Sequence, residues 1–232
     1  MTTNTQIPTL DGSDKLPAYV AKPEGAPRGA IIVIQEVFGV EKGIRKKCDD
    51  WASKGYLAVA PDVFWRQKPG VELDADVPEE FQQAIELMMN HDMDLGIRDI
   101  EAVIHWIRRD QGIAKVGLVG FCMGGKIAYM AAARTDVDAS VGYYGVGINE
   151  MLNESHAIAN PLLLHVPTAD GFVPPEAQKA MHEGLDGNAH VTIYDYEGLD
   201  HGFAAEIGSR RDEEGAELAD KRTVDFFARH VG

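Results

Sequence analysis

The sequence predicts an α/β protein with a mainly parallel central sheet and helices on both faces. Short β-rich runs alternate with helical patterns through most of the chain, which is typical of strands joined by crossover helices. Several of the runs are apolar at every position, as strands buried on both faces require. The predicted strands are residues 17–21, 30–35, 56–60, 115–119, 139–144, 162–166 and 190–196.

The predicted helices show one apolar face each. The clearest has Ile97, Ile100, Ile104 and Ile107 at spacings of three and four, with charged residues between them. An alanine-rich helix is predicted over residues 126–134 and a final helix over about 214–230. Residues 67–80 are rich in Pro, Gly and acidic side chains and lack periodicity, so we expect a long exposed loop near one end of the sheet, where loops often shape a binding site.

Length and composition are those of a single globular domain over residues 1–232, without a linker or an internal repeat. The 22 Lys and Arg residues against 37 Asp and Glu give a net charge of -15. Such an excess of negative charge repels phosphate backbones and anionic lipids, so we expect neither nucleic acid nor a membrane as partner.

The cellular location is predicted from the N-terminal segment and the cysteines. The first fifteen residues lack the basic start and apolar stretch of a secretory signal, and no apolar run approaches the length of a membrane helix. Cys48 and Cys122 form neither a disulfide framework nor a metal-binding pattern. These features favour a cytoplasmic protein. A chain of this size is expected to be a monomer or a homodimer.

One strand is followed by a turn with the pattern Gly-x-nucleophile-x-Gly, in which Cys122 occupies the nucleophile position. The flanking glycines, Gly120 and Gly124, lack the Cβ atom that would obstruct a tight passage from strand to helix. A thiol there would lie at a helix N-terminus, where backbone N–H groups stabilise a thiolate and a developing oxyanion. The N–H of Met123 is the natural first oxyanion donor.

A nucleophile of this kind requires a base and an acid that orients the base, in the chain order nucleophile, acid, histidine. Asp170 follows the strand at 162–166, and His201 follows the strand at 190–196. Both positions are predicted loops at the carboxyl ends of strands. We therefore expect Cys122, Asp170 and His201 to meet at one edge of the sheet.

Four segments resemble the dienelactone hydrolase family over nearly the whole chain: residues 35–39, 117–125, 142–147 and 201–203. The resemblance implies an α/β-hydrolase fold and hydrolysis of an ester or lactone by Cys122, Asp170 and His201 through an acyl-enzyme, without a metal or an organic cofactor. It also implies that Glu36 contacts the resting thiol and that Val37 supplies the second oxyanion N–H. From the sequence alone, Glu36 could equally be a solvated carboxylate or a helix cap.

The substrate pocket departs from the family pattern. Two arginines that bind the substrate carboxylate in the family are replaced at the matching positions by Phe81 and Ala205, and a tyrosine and a tryptophan by Ile85 and Met88. A more apolar wall favours an uncharged ester or lactone. Arg210 and Arg211 either reach back into the site or are solvated. The expected pocket comprises Phe38, Phe81, Ile85, Met88, Tyr144, Phe172, Phe203 and Ala205.

Other interpretations remain open at this point. A carboxylesterase of broad specificity for uncharged esters is compatible with the altered pocket. A redox-reactive thiol without catalysis would use Cys122 alone, although it would not require Asp170 and His201. Cys48 lies on a predicted helix and is expected to be inert. Four further histidines lack metal-like spacing and are assigned no role: His91, His105, His165 and His190.

Overall fold

The computed structural model describes residues 3–232. The strands are β1 (Thr5–Pro8), β2 (Lys15–Ala21), β3 (Ala30–Ile34), β4 (Leu57–Pro61), β5 (Val116–Phe121), β6 (Ala139–Tyr143), β7 (Leu162–Pro167) and β8 (Val191–Tyr196). The helices are α1 (Lys42–Ser53), α2 (Pro78–Met89), α3 (Met93–Asp110), α4 (Met123–Arg134), α5 (Pro175–Leu185) and α6 (Glu213–His230). A 3-10 segment covers Ile148–Ala157.

All eight of these strands form one sheet in the order β1-β2-β4-β3-β5-β6-β7-β8. The strands from β4 to β8 in this order are parallel, whereas β1 and β2 form an antiparallel edge. The predicted α/β class with a mainly parallel sheet is confirmed. Strand β1 was not predicted, because its four residues Thr5–Pro8 contain one buried side chain, that of Ile7, and a proline.

The centre of the sheet forms the core. Every residue of β3, β4, β5, β6 and β7 is buried, as the continuous apolar runs predict for strands covered on both faces. Edge strand β8 alternates and exposes part of its length. Helix α3 buries the predicted isoleucines, and Asp92 caps its first turn by accepting from the N–H of Leu95 at 3.0 Å.

The segment at 67–80 differs in part from the predicted exposed loop. Val71 is buried, and its carbonyl oxygen would lie 1.9 Å from a Cβ built on Gly39, so only glycine fits opposite it. Glu72 pairs with Gly39 as an isolated bridge. Helix α2 already begins at Pro78, because proline at the first helical position favours initiation. The segment is therefore attached to the loop after β3 and is not free along its length.

The parallel strands direct their carboxyl ends to the same edge of the sheet. The loops that follow β3, β5, β6, β7 and β8 therefore meet there, and they include Glu36, Cys122, Tyr144, Asp170 and His201. No helix within residues 3–232 is long and apolar enough to cross a membrane.

Candidate active site

Cys122 occupies a strained turn between β5 and α4. Its backbone has φ 55 and ψ -116, and it is one of two non-glycine residues with positive φ among residues 3–232. This conformation is costly for a residue with a Cβ and is stable only where the surrounding structure imposes it. Here the N–H of Cys122 donates to the carbonyl of Tyr143 at 3.0 Å, and the next residue already begins α4. The turn thus directs the thiol away from both elements, and the residue is 9% exposed.

The glycines of the motif are required by close backbone packing. A Cβ on Gly120 would lie 1.9 Å from the carbonyl oxygen of Gly124. A Cβ on Gly124 would lie 2.6 Å and 2.7 Å from the carbonyl oxygens of Gln35 and Ile34, at the end of β3. Helix α4 can start directly above the sheet only because these positions have no side chain.

Asp170 and His201 meet across the loops that follow β7 and β8. The Nδ1 atom of His201 lies 2.9 Å and 3.1 Å from the two carboxylate oxygens of Asp170, and both side chains are buried. Asp170 also accepts from the backbone N–H groups of Phe172 at 2.8 Å and Val173 at 3.2 Å, which fix its orientation. With Nδ1 occupied by the carboxylate, Nε2 is the imidazole nitrogen left for the thiol.

The electrostatics of the site favour a protonated His201. Burial alone would lower the pKa of this imidazole, but the negative charge of Cys122 and the hydrogen bond with Asp170 outweigh burial and raise the pKa to about 10. An imidazolium held between a carboxylate and a sulfur is the arrangement that stabilises a thiolate nucleophile. The structure therefore brings together the three residues that the sequence grouped.

Two backbone N–H groups close to Cys122 in the fold have no hydrogen-bond partner among the described residues. Within residues 3–232, no hydrogen bond uses the N–H of Val37, after β3, or that of Met123, the first residue of α4. Free N–H groups at a helix start carry a partial positive charge. Neither N–H group is therefore occupied by a protein acceptor from the described part of the chain.

Glu36, which the resemblance implies as the partner of the resting thiol, lines the same small cavity as Cys122. Within the described residues, no hydrogen bond joins its carboxylate to Cys122, and its Oε1 atom is buried without a partner. Its Oε2 atom lies 3.8 Å from the Nη2 atom of Arg210. In this conformation, the charged partner of Glu36 is the guanidinium of Arg210.

Arg210 is a pocket residue that the sequence left undecided. Its guanidinium lies 5.7 Å from the ring centre of Phe38, and its carbons and nitrogens lie close to Gly202, next to His201. Arg211 points elsewhere and pairs with Glu213 at 2.7 Å and with Glu206 at 3.7 Å. No pattern in the sequence separates the two arginines, because their orientation depends on the loop between β8 and α6.

A small cavity of about 40 Å³ lies in front of Cys122. Three expected residues on α2, namely Phe81, Ile85 and Met88, form one wall. The remaining lining comes from loops: Glu36, Val37, Phe38, Cys122, Val146, Phe172, His201 and Arg210. Val146 was not expected, since a valine in a loop carries no distinguishing pattern.

Three expected pocket residues lie elsewhere. Tyr144 and Ala205 line an adjoining cavity of about 20 Å³ on the other side of Glu36 and Phe38. Phe203 lines neither cavity. It is buried and packs on Tyr144 and Tyr196 at ring distances of 5.7 Å and 4.8 Å, because the turn after His201 directs it towards the core. Its assignment to the pocket wall is wrong.

A larger cavity of about 360 Å³ lies between α1 and α6, away from the sulfur. Its inner wall includes Trp51, Val119 and Phe121, and its rim consists of charged side chains. Cys122, Asp170 and His201 do not line it. The small cavity, and not this one, therefore holds the candidate chemistry.

The remaining cysteine and histidines make structural contacts. Cys48 is fully buried in α1, and burial raises the pKa of its thiol. His165 bonds to Tyr196 at 2.7 Å and Thr223 at 2.9 Å, and burial lowers its pKa to about 3, so it stays neutral. Among the described residues, no cluster of three or more His, Cys, Asp or Glu side chains is arranged to hold a metal ion.

Comparisons with known proteins point to one family. The model of the Dienelactone hydrolase family matches residues 16–231. A protein of Azospirillum brasilense named "Putative carboxymethylenebutenolidase" is 42% identical over 99% of this chain and 100% of its own length. The "Carboxymethylenebutenolidase" of Pseudomonas putida is 37% identical over 98% of this chain and 97% of its own length. The crystal structure of a "Putative Dienelactone Hydrolase" from Klebsiella pneumoniae superposes with a TM-score of 0.84 at 30% identity, covering 97% of each chain.

The sheet order and the turn that carries Cys122 define an α/β-hydrolase. Similarity over nearly the full length narrows that class. The chain belongs to the dienelactone hydrolase family and is a carboxylic ester hydrolase.

Proposed function

We propose that the protein hydrolyses a small ester or lactone through an acyl-enzyme on Cys122. The observation that supports the proposal is the strained turn at Cys122, together with a buried His201 that is bonded to the buried carboxylate of Asp170. A cysteine that only filled space would need neither the strain nor the partners. Thiolate chemistry also suits the substrate class, because activated esters and enol lactones have better leaving groups than amides do.

The reaction begins with the thiolate of Cys122 paired with the imidazolium of His201. Sulfur attacks the carbonyl carbon, and the carbonyl oxygen becomes an oxyanion held by the N–H groups of Val37 and Met123. The tetrahedral intermediate collapses as the carbon–oxygen bond breaks, and His201 gives its proton to the leaving oxygen. Asp170 keeps the imidazole in the orientation that transfer requires.

Deacylation repeats these steps with water as the nucleophile. Neutral His201 takes a proton from water, and the hydroxyl oxygen attacks the thioester carbonyl. The carbon–sulfur bond then breaks, the carboxylic acid leaves, and the thiolate and imidazolium return. Hydrolysis of a lactone gives a single product, because its alcohol and its acid are parts of the same molecule.

The pocket supports a substrate without a net charge. Its wall on α2 is apolar, and the charge of its guanidinium, that of Arg210, is opposed by Glu36 at 3.8 Å. The Pseudomonas putida relative is named for a lactone that carries a carboxymethylene group, so a dienelactone is the natural reference compound. A carboxylesterase of broad specificity for uncharged esters is the second candidate, favoured by the same apolar wall.

The nucleophile can be tested by trapping the intermediate. A Cys122→Ala variant should lose hydrolysis of any activated ester, while the wild type should gain the mass of one acyl group on Cys122 when quenched during turnover. Cys48→Ala is the matched control and should keep both properties. Turnover that survives in Cys122→Ala would overturn the mechanism, and oxidation of Cys122 without ester turnover would favour the redox-reactive thiol.

Substrate charge can be tested with one lactone in two forms. We expect a dienelactone methyl ester to be hydrolysed with a higher kcat/KM than the same lactone with its free carboxylate. Ring opening is followed in both cases, with Cys122→Ala as the blank. A strong preference for the carboxylate would contradict this proposal and indicate that Arg210 binds the anion.

We also propose a cytoplasmic setting, because a free thiol nucleophile requires a reducing compartment. A single domain over residues 1–232 is consistent with one sheet that includes all the described strands. The oligomeric state, monomer or homodimer, is open to measurement by light scattering.

A further inference from the structure

The two strained residues of the site are held by backbone hydrogen bonds of the same kind. Cys122 and Tyr144 are the two non-glycine residues with positive φ among residues 3–232. The N–H of Cys122 donates to the carbonyl of Tyr143 at 3.0 Å. The N–H of Tyr144 donates to the carbonyl of His165 at 2.9 Å. Strain of this kind persists only where the surrounding structure imposes it. Both conformations therefore depend on where Tyr143 and His165 lie.

Tyr143 and His165 are neighbours in the sheet and share a partner on α6. They are paired in register on β6 and β7, their ring centres lie 4.3 Å apart, and both residues are buried. Helix α6 packs on these two strands and contributes Thr223. The hydroxyl oxygen of Thr223 lies 2.6 Å from the hydroxyl of Tyr143 and 2.9 Å from Nε2 of His165. Thr223 thus joins the side chains of both residues.

The hydrogen bonds of this cluster can run in only one direction. The hydroxyl of Tyr143 donates its one proton to the carboxylate of Asp220 at 2.9 Å, so it accepts from Thr223. The proton of Thr223 is then used, and its oxygen accepts from Nε2 of His165. Burial lowers the pKa of His165 to about 3, so its imidazole is neutral and Nδ1 accepts from the hydroxyl of Tyr196 at 2.7 Å. His165 is therefore the Nε2–H tautomer.

The cluster is a buried polar network rather than an apolar contact. Each of its four buried side chains has a hydrogen-bond partner: Tyr143, His165, Tyr196 and Thr223. A buried network in which every member is satisfied specifies one arrangement of the elements that carry it. Apolar side chains of similar size would fill the same space without that directional requirement. Thr223 bonds to both residues whose carbonyls hold the strained residues, so the network acts on both through its hydroxyl.

We propose that Thr223 is a positioning residue for the reactive thiol. Its hydroxyl fixes the ends of β6 and β7, and the two carbonyls there keep Cys122 and Tyr144 in their strained conformations. Thr223 lines the larger cavity between α1 and α6 and is not among the residues in front of Cys122. It therefore acts through the backbone and not by contact with substrate. The effect on catalysis rests on the proposed function, because Cys122 must be the nucleophile, whereas the effect on the backbone does not.

The first test measures the backbone without turnover. Thr223→Val keeps the shape of the side chain and removes the hydroxyl, whereas Thr223→Ser keeps the hydroxyl. We expect amide hydrogen exchange at Cys122 and Tyr144 to become about tenfold faster in Thr223→Val and to stay close to wild type in Thr223→Ser. The amide of Ile32, in the centre of the sheet, is the internal reference. Equal acceleration at Ile32 would indicate general destabilisation and would overturn the proposal.

The second test separates kcat from KM with p-nitrophenyl acetate as substrate. We expect Thr223→Val to lower kcat by about tenfold and to leave KM within about twofold, because a displaced nucleophile slows attack without altering the apolar wall. Thr223→Ser should restore most of the activity. Loss of activity in both variants would make the methyl group, and not the hydroxyl, the important part. A higher KM at unchanged kcat would overturn the proposal in favour of substrate contact.

Thr135→Val is the matched control for both tests. It makes the same chemical change and removes a hydroxyl that bonds to the carbonyl of Ala131 at 2.7 Å, at the far end of α4 from Cys122. Amide exchange at Cys122 and Tyr144, kcat and KM should all stay close to wild type. Effects as large as those of Thr223→Val would overturn the proposal, since loss of any such hydroxyl would then suffice.

The direction of the hydrogen bonds can be tested in the wild-type protein, so the proposal can be refuted even if Thr223→Val does not fold. Nitrogen NMR of protein labelled with 15N-histidine should show His165 as the neutral Nε2–H tautomer between about pH 5 and pH 8. An Nδ1–H tautomer would overturn the network as described.

Failure of this proposal is distinguishable from failure of the proposed function. Unchanged exchange in Thr223→Val would refute the positioning role for any substrate. Faster exchange with unchanged kcat would refute its link to catalysis. Turnover that survives in Cys122→Ala would instead refute the proposed function and leave the exchange result as it is.

Discussion

At the scale of single residues, the site depends on two glycines without a Cβ atom as well as on its reactive side chains. Cys122 reaches its position because Gly120 and Gly124 allow helix α4 to start on top of the sheet. The reactive sulfur thus depends on the contact between α4 and the end of β3. This dependence can be measured separately from catalysis.

Gly124→Ala should lower the free energy of unfolding by about 1–3 kcal/mol. The new Cβ would lie 2.6 Å from the carbonyl oxygen of Gln35, and neither backbone can move without shifting the sheet or the helix. Urea denaturation measures the loss, and ester hydrolysis should fall as Cys122 moves. Gly187→Ala is the control, because a Cβ there meets nothing within 4 Å. Equal stability of the two variants would contradict the close approach.

At the scale of elements, two segments shape the pocket from outside the sheet. Helix α2 buries only Ala84 and Leu87 among its twelve residues, yet it provides the apolar wall opposite Cys122. The loop between β8 and α6 supplies Arg210 and is joined to α1 through Glu206. We therefore expect the first segment to limit the size of the substrate, while the second supplies the guanidinium.

Ile85→Ala should widen the acceptance of longer acyl chains. The cavity of about 40 Å³ leaves little room beyond the reacting group, and Ile85 on α2 lines it. We expect kcat/KM for p-nitrophenyl butyrate to rise relative to that for the acetate by up to about tenfold, the usual effect of a methylene or two in an apolar pocket. Gln82→Ala, on the exposed face of α2, should leave the ratio unchanged. An unchanged ratio in Ile85→Ala would show that α2 does not limit substrate size.

Glu206→Gln should destabilise the protein by about 1–2 kcal/mol at neutral pH, because this carboxylate pairs with Lys46 at 2.7 Å and Lys47 at 3.1 Å. Its exposed fraction is only 10%. Burial alone would raise its pKa, but the two lysines outweigh burial and lower the pKa below the ordinary value of 4.5.

The sign of the pH dependence follows from that lowered pKa. A depressed carboxyl pKa contributes stability that is present above about pH 4.5 and is lost as pH falls through the folded-state value. Urea unfolding of wild type and Glu206→Gln should therefore converge in acid. Glu213→Gln, which removes an exposed carboxylate paired with Arg211, should cost much less. A gap between wild type and Glu206→Gln that persists at low pH would refute the ion-pair explanation.

At the scale of the whole molecule, the net charge of -15 acts on a charged substrate before it reaches the pocket. Like charges slow the encounter of an anionic substrate with the protein, whereas neutral esters are not affected. The charge therefore adds to the apolar wall in favouring uncharged substrates. Its effect can be separated from that of the pocket because salt screens long-range repulsion far more than it screens contacts inside the site.

Raising the ionic strength from about 0.02 M to about 0.5 M should increase kcat/KM for a lactone with a free carboxylate by about twofold or more. The methyl ester of the same lactone is the control and should respond little. A decrease with salt for the carboxylate form would mean that local attraction by Arg210 exceeds the repulsion by the molecule as a whole.

Local patterns in the sequence were sufficient for the architecture and for the membership of the candidate triad. Continuous apolar runs identify buried parallel strands because both faces are covered, and the Gly-x-Cys-x-Gly turn identifies the nucleophile because its spacing reflects close backbone packing. Asp170 and His201 could be chosen because the loops after parallel strands share one edge of the sheet. Strand β1 was not predicted, because four residues with one buried side chain show no hydrophobic periodicity.

Side-chain direction in the loops depended on tertiary contacts. Adjacent arginines diverge, with Arg210 towards Glu36 and Arg211 towards Glu213, because each follows the charges that the fold places beside it. Phe203 packs in the core, although its position in the sequence suggested the pocket. Tyr144 adopts a left-handed backbone conformation that no residue pattern predicts. Periodicity reports which face of an element is buried, whereas a loop side chain takes the orientation that satisfies its neighbours from distant parts of the chain.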